Sequence, residues 1–200
     1  MRYTIVCFLC LLLPVLVSAQ LSIGLKAGLN FANVTNTAGF NNSSRTGYMI
    51  GGYISPKSKK ILGFRSELIL SRQGYDYKTN TSTGNVNLDY LLLPQLITLS
   101  FTKKFQLHVG GQAAFLLNAK VDSSNGNNNG SLFDYFNRFD YGLVGGLEVS
   151  PVLGLFVGGR VNISFNSVNK EPSSGGNWPG FIPRLDAKNN VVQLYAGWRF

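Results

Sequence analysis

The sequence predicts an all-β chain: eight antiparallel strands wound up and down into a closed transmembrane β-barrel, behind a cleaved leader. Three observations predict it. Apolar and polar residues alternate with period two along segment after segment, which gives strands with one greasy and one wet face. The connections between these segments alternate long and short. Charged residues make up only 14% of the chain, while Gly reaches 23 of 200 and aromatics 12%; an ordinary soluble domain carries ~25% charge.

The leader is MRYTIVCFLCLLLPVLVSAQ. Arg2 supplies a positive start, Ile5 to Val17 an apolar core, and Val17-Ser18-Ala19 small residues for cleavage. These features read as a secretory signal peptide over residues 1–19, with one barrel domain over 20–200. Cys7 and Cys10 both fall inside it, so the mature chain has no disulfide, thiol nucleophile or cysteine metal site. The net charge of +9 becomes +8 without Arg2. Export and the scatter of the basic residues argue against nucleic acid, and anionic lipid head groups are the expected counterpart. No run of ~18 apolar residues follows the leader, so no helical span is predicted.

The first strand, 21–31, sets Leu21, Ile23, Leu25, Ala27, Leu29 and Phe31 against Ser22, Gly24, Lys26, Gly28 and Asn30. Residues 32–45 read as a long polar loop. The second strand covers about 46–55 and ends in the basic turn PKSKK. The third starts near Ile61 and extends towards Tyr77, with Leu62, Phe64, Leu68 and Leu70 opposed to Arg65, Glu67 and Ser71. After the polar connection 78–85, the fourth runs from Val86 to Leu99. Pro94 cannot donate to a ladder, so a bulge or break is expected there. The fifth runs from Phe105 to Lys120, with Ala119 on its apolar face and Lys120 on its polar face. The Asn/Gly-rich stretch to Asn137 reads as a flexible loop; it lacks the carboxylates of a calcium loop. The sixth strand covers 138–149 and the seventh 155–167. A last loop, 168–188, holds Trp178 and Phe181. The eighth strand, 189–200, alternates Val192, Leu194, Ala196, Trp198 and Phe200 with Gln193, Tyr195, Gly197 and Arg199. Pairing it with the first strand closes the ring and removes both sheet edges.

Periodicity does not say which face is inside. The apolar sets lack charge, and an eight-stranded barrel is just wide enough to be filled by side chains. Aromatics including Phe31, Tyr53, Phe64, Tyr90, Phe105, Phe139, Tyr141, Phe165, Trp198 and Phe200 gather towards strand ends, as interfacial girdles do. The apolar faces are therefore assigned to lipid. Short turns then face the periplasm and long loops the exterior.

The opening IGLKAGLNFANV, the YLLLP of the fourth strand with its following KK turn, FDYGLVGGLEV and the terminal aromatic together resemble the PorT-like outer-membrane β-barrel family of Bacteroidetes. The resemblance covers the whole mature chain. It implies an outer-membrane barrel, and its best-known branch is tied to secretion and gliding. Trp198 and Phe200 resemble the C-terminal signal that barrel assembly machinery reads.

Seven residues are assigned to an inward charge network: Lys26, Arg65, Glu67, His108, Glu148, Arg160 and Arg199. Buried charges are normally paired, so Glu67 and Glu148 are each expected to contact an arginine. His108, the only histidine, could serve a lipid-modifying enzyme only beside a serine and facing lipid. Its inward placement argues for a satisfied lumen residue instead. No catalytic, cofactor or metal site is assigned. The expected partners are outer-membrane lipid, the assembly machinery and envelope proteins met through Trp178 and Phe181. The expected role is a small non-enzymatic barrel acting structurally or through its loops, within an assembly such as secretion machinery. The alternatives are a small-molecule channel and a soluble lipocalin-like binder.

Overall fold

The computed structural model describes residues 21–34, 41–57, 61–78, 83–123, 130–131, 135–167 and 188–200. The leader over 1–19, Trp178 and Phe181 lie outside them. Eight strands form the wall: β1 Leu21–Val34, β2 Asn41–Pro56, β3 Leu62–Lys78, β4 Thr83–Ser100, β5 Phe105–Ser123, β6 Phe139–Val149, β7 Leu155–Ser164 and β8 Asn189–Arg199. Each pairs antiparallel with the next. The eighth returns to the first, with Leu25 opposite Trp198 and Ala27 opposite Ala196. The ring is therefore closed and strictly up-and-down. Closure satisfies the backbone groups that an open edge would leave in lipid.

The period-two sets fall as their chemistry demands. Leu25, Leu29, Ile50, Leu68, Leu143, Val161 and Leu194 stand exposed on the outer wall, among many other large apolar residues. In water this continuous surface would far exceed the few hundred Å² of apolar patch a soluble protein tolerates. Towards the loop end of the wall Phe115, Phe139, Tyr141 and Phe165 form a chain of ring contacts with centroids 5.3–6.3 Å apart. Phe105 marks the turn end of the same strand as Phe115. Ten residues of tilted strand between them span about 25 Å of height, the thickness of a barrel's apolar band. Where polar groups do face out between the girdles, they pair: Gln95 donates to Ser66 at 2.8 Å.

Several elements depart from the sequence reading. β1 runs on to Val34 and β2 begins at Asn41, so most of the expected loop 32–45 is strand. β3 runs to Lys78 and β4 begins at Thr83, so half of 78–85 is strand as well. Backbone pairing needs no apolar side chain once the strands leave the membrane, so composition alone misplaced these ends. Conversely β7 stops at Ser164 rather than 167, although Phe165 still donates to the Tyr141 carbonyl at 2.9 Å.

Pro94 does not break β4. The β3 ladder lapses only opposite Leu93 and Pro94 and resumes in the same register, while on the other side Pro94 pairs with Gln112. The bulge lies elsewhere: Asp89 pairs with Asn118 and Tyr90 with Leu116, leaving Leu117 as the extra residue in β5. One inserted residue reverses the facing of everything beyond it. Ala119 and Val121 consequently point in and Lys120 points out, the reverse of the expected faces.

Two short pieces of the stretch after β5 pair or pack against the barrel. Gly130–Ser131 pairs with Lys120 and Val121. Phe136, at 0% exposure, enters the barrel from the loop end. There it joins an apolar cluster with Met49, Ile69, Leu88, Tyr90, Leu92 and Leu116. β4 carries apolar residues on both faces, and its inward set lines this cluster.

Candidate functional site

Below the apolar cluster the lumen is polar. Lys26 comes from β1, Arg65 and Glu67 from β3, His108 from β5, Glu148 from β6, Arg160 from β7 and Arg199 from β8. All are inward positions of their strands, so the alternation that sends Leu and Val to lipid sends these seven to one level of the interior. Six are almost wholly buried, and only Arg199, at the turn end, keeps a partly exposed side chain.

Two carboxylates organise the cluster. Glu67 accepts from Lys26 at 2.7 Å and from Arg160 at 2.6 Å. Glu148 accepts from Arg65 through both oxygens, at 2.8 and 3.2 Å, and from Arg199 at 2.9 Å. The Arg65 fork thus makes the two-pronged contact suited to a planar guanidinium. Arg65 also stands 3.9 Å from Glu67, which links the two halves. Neutral groups extend the network: Arg65 donates to Gln106 at 2.9 Å, Arg160 to Gln193, and Gln193 to Asn30 at 2.7 Å. His108 lies 3.5 Å from Gln106 Oε1 and 4.0 Å from Glu148 Oε2.

Four cations share two carboxylates, so hydrogen-bonded pairs alone leave positive charge uncompensated. Aromatic faces take up the remainder. Arg65 lies 4.0 Å from the centre of the Tyr53 ring and Lys26 4.4 Å from that of Tyr195. Arg160 lies 5.8 Å from Tyr195 and Arg199 5.9 Å from Phe156. The Tyr53 hydroxyl further accepts from Arg199 at 2.9 Å. Sequence reasoning missed this part of the site. Tyr53 and Tyr90, expected in the interfacial girdle, are both buried inside. The available signal was parity: each lies an even number of residues from other inward positions of its strand. Space for the rings comes from glycine on the paired strand. Tyr53 lies across Gly24, where a Cβ would come within 2.2 Å of the ring, and Tyr195 lies across Gly158.

Nearer the loop end a second polar set surrounds a small cavity of about 10 Å³, lined among others by Gln73, Gln112, Asp140, Asn162 and Asn189. Asp140 accepts from Ser164, and Asn189 donates to Gln73. At the far end of β8, the Phe200 amide donates to the Ile23 carbonyl at 2.8 Å and the Arg199 amide to the Gly154 carbonyl at 2.7 Å. The Trp198 and Phe200 side chains face outward. Among the described residues no group of His, Cys, Asp and Glu is placed to hold a metal ion.

Residues 18–170 match the family described as "Outer membrane protein beta-barrel domain". No curated protein sequence matches. Three solved barrels have a similar fold. The attachment invasion locus protein Ail of Yersinia pestis is 14% identical with a TM-score of 0.51, over 90% of this chain and 98% of that one. Neisserial surface protein A is 9% identical with a TM-score of 0.53, over 90% and 97%. OprG from Pseudomonas aeruginosa is 14% identical with a TM-score of 0.52, over 91% and 96%.

Proposed function

The chain belongs to the family of outer membrane protein β-barrel domains, and from that premise we propose that it is a closed, non-enzymatic barrel that works through its outer loops. Its place in the cell is the outer membrane. The observation that carries the reading is the filled lumen, in which six charged or titratable side chains from five strands are almost wholly buried and cross-linked. Such a plug favours a platform over a conduit. His108 supports the non-enzymatic reading, since it is buried in the lumen against Gln106 and Glu148, away from the lipid face. The leader over 1–19 is read as the export signal. The outward aromatics Trp198 and Phe200 are read as the contact for barrel assembly machinery, because β8 is the strand that closes the ring.

The motifs IGLKAGLNFANV, YLLLP and FDYGLVGGLEV support placement in the PorT-like branch of Bacteroidetes and, with it, a part in an envelope assembly such as secretion machinery. Trp178 and Phe181 are the residues we assign to partner contact. That a similar barrel is named for attachment and invasion supports a contact-making role for a protein of this size. The test is the native size after extraction in mild detergent. The reading expects a discrete complex much larger than the 21.9 kDa chain. It also expects replacement of residues 168–187 by a Gly/Ser linker to dissolve that complex while leaving insertion intact. A lone barrel in both cases would refute the assembly role.

A further inference from the structure

At its turn end the barrel opens into a vestibule of about 860 Å³. Five cationic side chains line it: Lys57, Arg65, Lys103, Lys104 and Arg199, with no acidic side chain among the lining residues. Glu148 lies behind Arg65 and Arg199 and engages both. The three lysines are exposed and form no ion pair among the described residues. Arg65, at the vestibule floor, is 2% exposed, and its Nε has no hydrogen-bond partner.

A concavity lined by one sign of charge and walled by protein focuses the field and concentrates counter-charge inside it. This one is too wide for a single ion, and its volume is that of a site for an organic ligand. Part of its rim is apolar: Val152, Leu153, Trp198 and Phe200. Leu153 is 97% exposed. Two anionic sources could meet such a rim, the inner-leaflet phosphates and a soluble acidic chain. Arg65 and Arg199 discriminate between them. Both occupy lumen-facing strand positions, so the positive field reaches onto the barrel axis, where the periplasm stands and lipid does not.

We infer that the turn-end vestibule binds an acidic peptide segment, bearing an apolar residue for the Val152–Leu153 rim, of a periplasmic partner. The inference rests on the outer-membrane orientation and not on the outer loops, so the linker replacement above does not bear on it. The probe is a short fluorescent Glu-rich peptide, titrated against the full-length barrel refolded in neutral detergent. A Lys-rich peptide of equal length is the comparison.

The Glu-rich peptide binds and the Lys-rich one does not, and rising salt weakens binding as screening demands. Combined Lys57→Glu, Lys103→Glu and Lys104→Glu weakens it about tenfold or more. Lys120→Glu, at the opposite end of β5, leaves it unchanged. The three lysines sit on exposed turn positions, and an unchanged β circular-dichroism signal verifies that the variants fold. Equal binding of both peptides, or indifference to the triple reversal, overturns the inference. So does a result in which micelles doped with anionic phospholipid are bound through the same lysines while the peptide is ignored.

Discussion

Glu148 is the residue on which the turn-end half of the network depends. It is the acceptor for Arg65 and for Arg199. Burying a charge without a partner is far costlier than burying a pair, and removing one member of a buried pair costs about 3–5 kcal/mol. Glu148→Gln should therefore lower stability by about that amount in urea unfolding of the refolded barrel. Arg199→Gln removes a partner whose side chain is 32% exposed, and should cost under about 1 kcal/mol. Equal losses for the two would mean that burial does not set the strength of this network. A second prediction concerns Gly24. A methyl group there meets the Tyr53 ring, which serves both Arg65 and Arg199. Gly24→Ala should destabilise by about 1–3 kcal/mol through overpacking, and Tyr53→Leu in the same background should relieve part of the loss.

At the scale of elements, the strand that misled sequence reasoning is β5. Its alternation is unbroken on paper from Phe105 to Lys120, and nothing in the residue types announces the bulge at Leu117. The bulge is a property of the pairing with β4, where Asp89 and Tyr90 stand opposite Asn118 and Leu116. It moves Ala119 into the apolar cluster and Lys120 to the outside. Lys120→Ala should then change stability by less than about 0.5 kcal/mol. Ala119→Lys should cost on the order of 3–5 kcal/mol by burying an unpaired charge. The opposite ranking in urea titrations would restore the unbulged register. β4 was hard to read for a different reason. Val86, Leu88, Leu92 and Leu96 face in while Leu91, Leu93, Ile97 and Leu99 face out, so no polarity contrast marks its faces. The charge network was legible because it alternates with unmistakably apolar residues in β1, β3, β6, β7 and β8. The aromatic half of the site was not, since tyrosine suits a membrane interface and a packed lumen equally well. Strand ends were the remaining weakness: polar side chains beyond the membrane do not oppose pairing, as β2 from Asn41 illustrates.

For the whole molecule, the outer wall and the lumen together define an inside-out protein: apolar towards lipid, and within it a salt-bridged layer beneath an apolar one. Phe136 enters the interior from the loop after β5 and adds to the upper layer. Two stacked layers of different chemistry oppose passage for different reasons. The lower presents charges already engaged with one another, and the upper is packed by the apolar cluster, which leaves beside it a polar cavity of only about 10 Å³. The measurement that tests this account most directly is conductance of the purified, refolded barrel in planar bilayers. The account predicts that the wild-type barrel inserts without steady unitary currents, and that Glu67→Gln with Glu148→Gln, which strips the network of its carboxylates, brings on current fluctuations. A stable, reproducible conductance of the unaltered barrel would contradict it and make the lumen a pore.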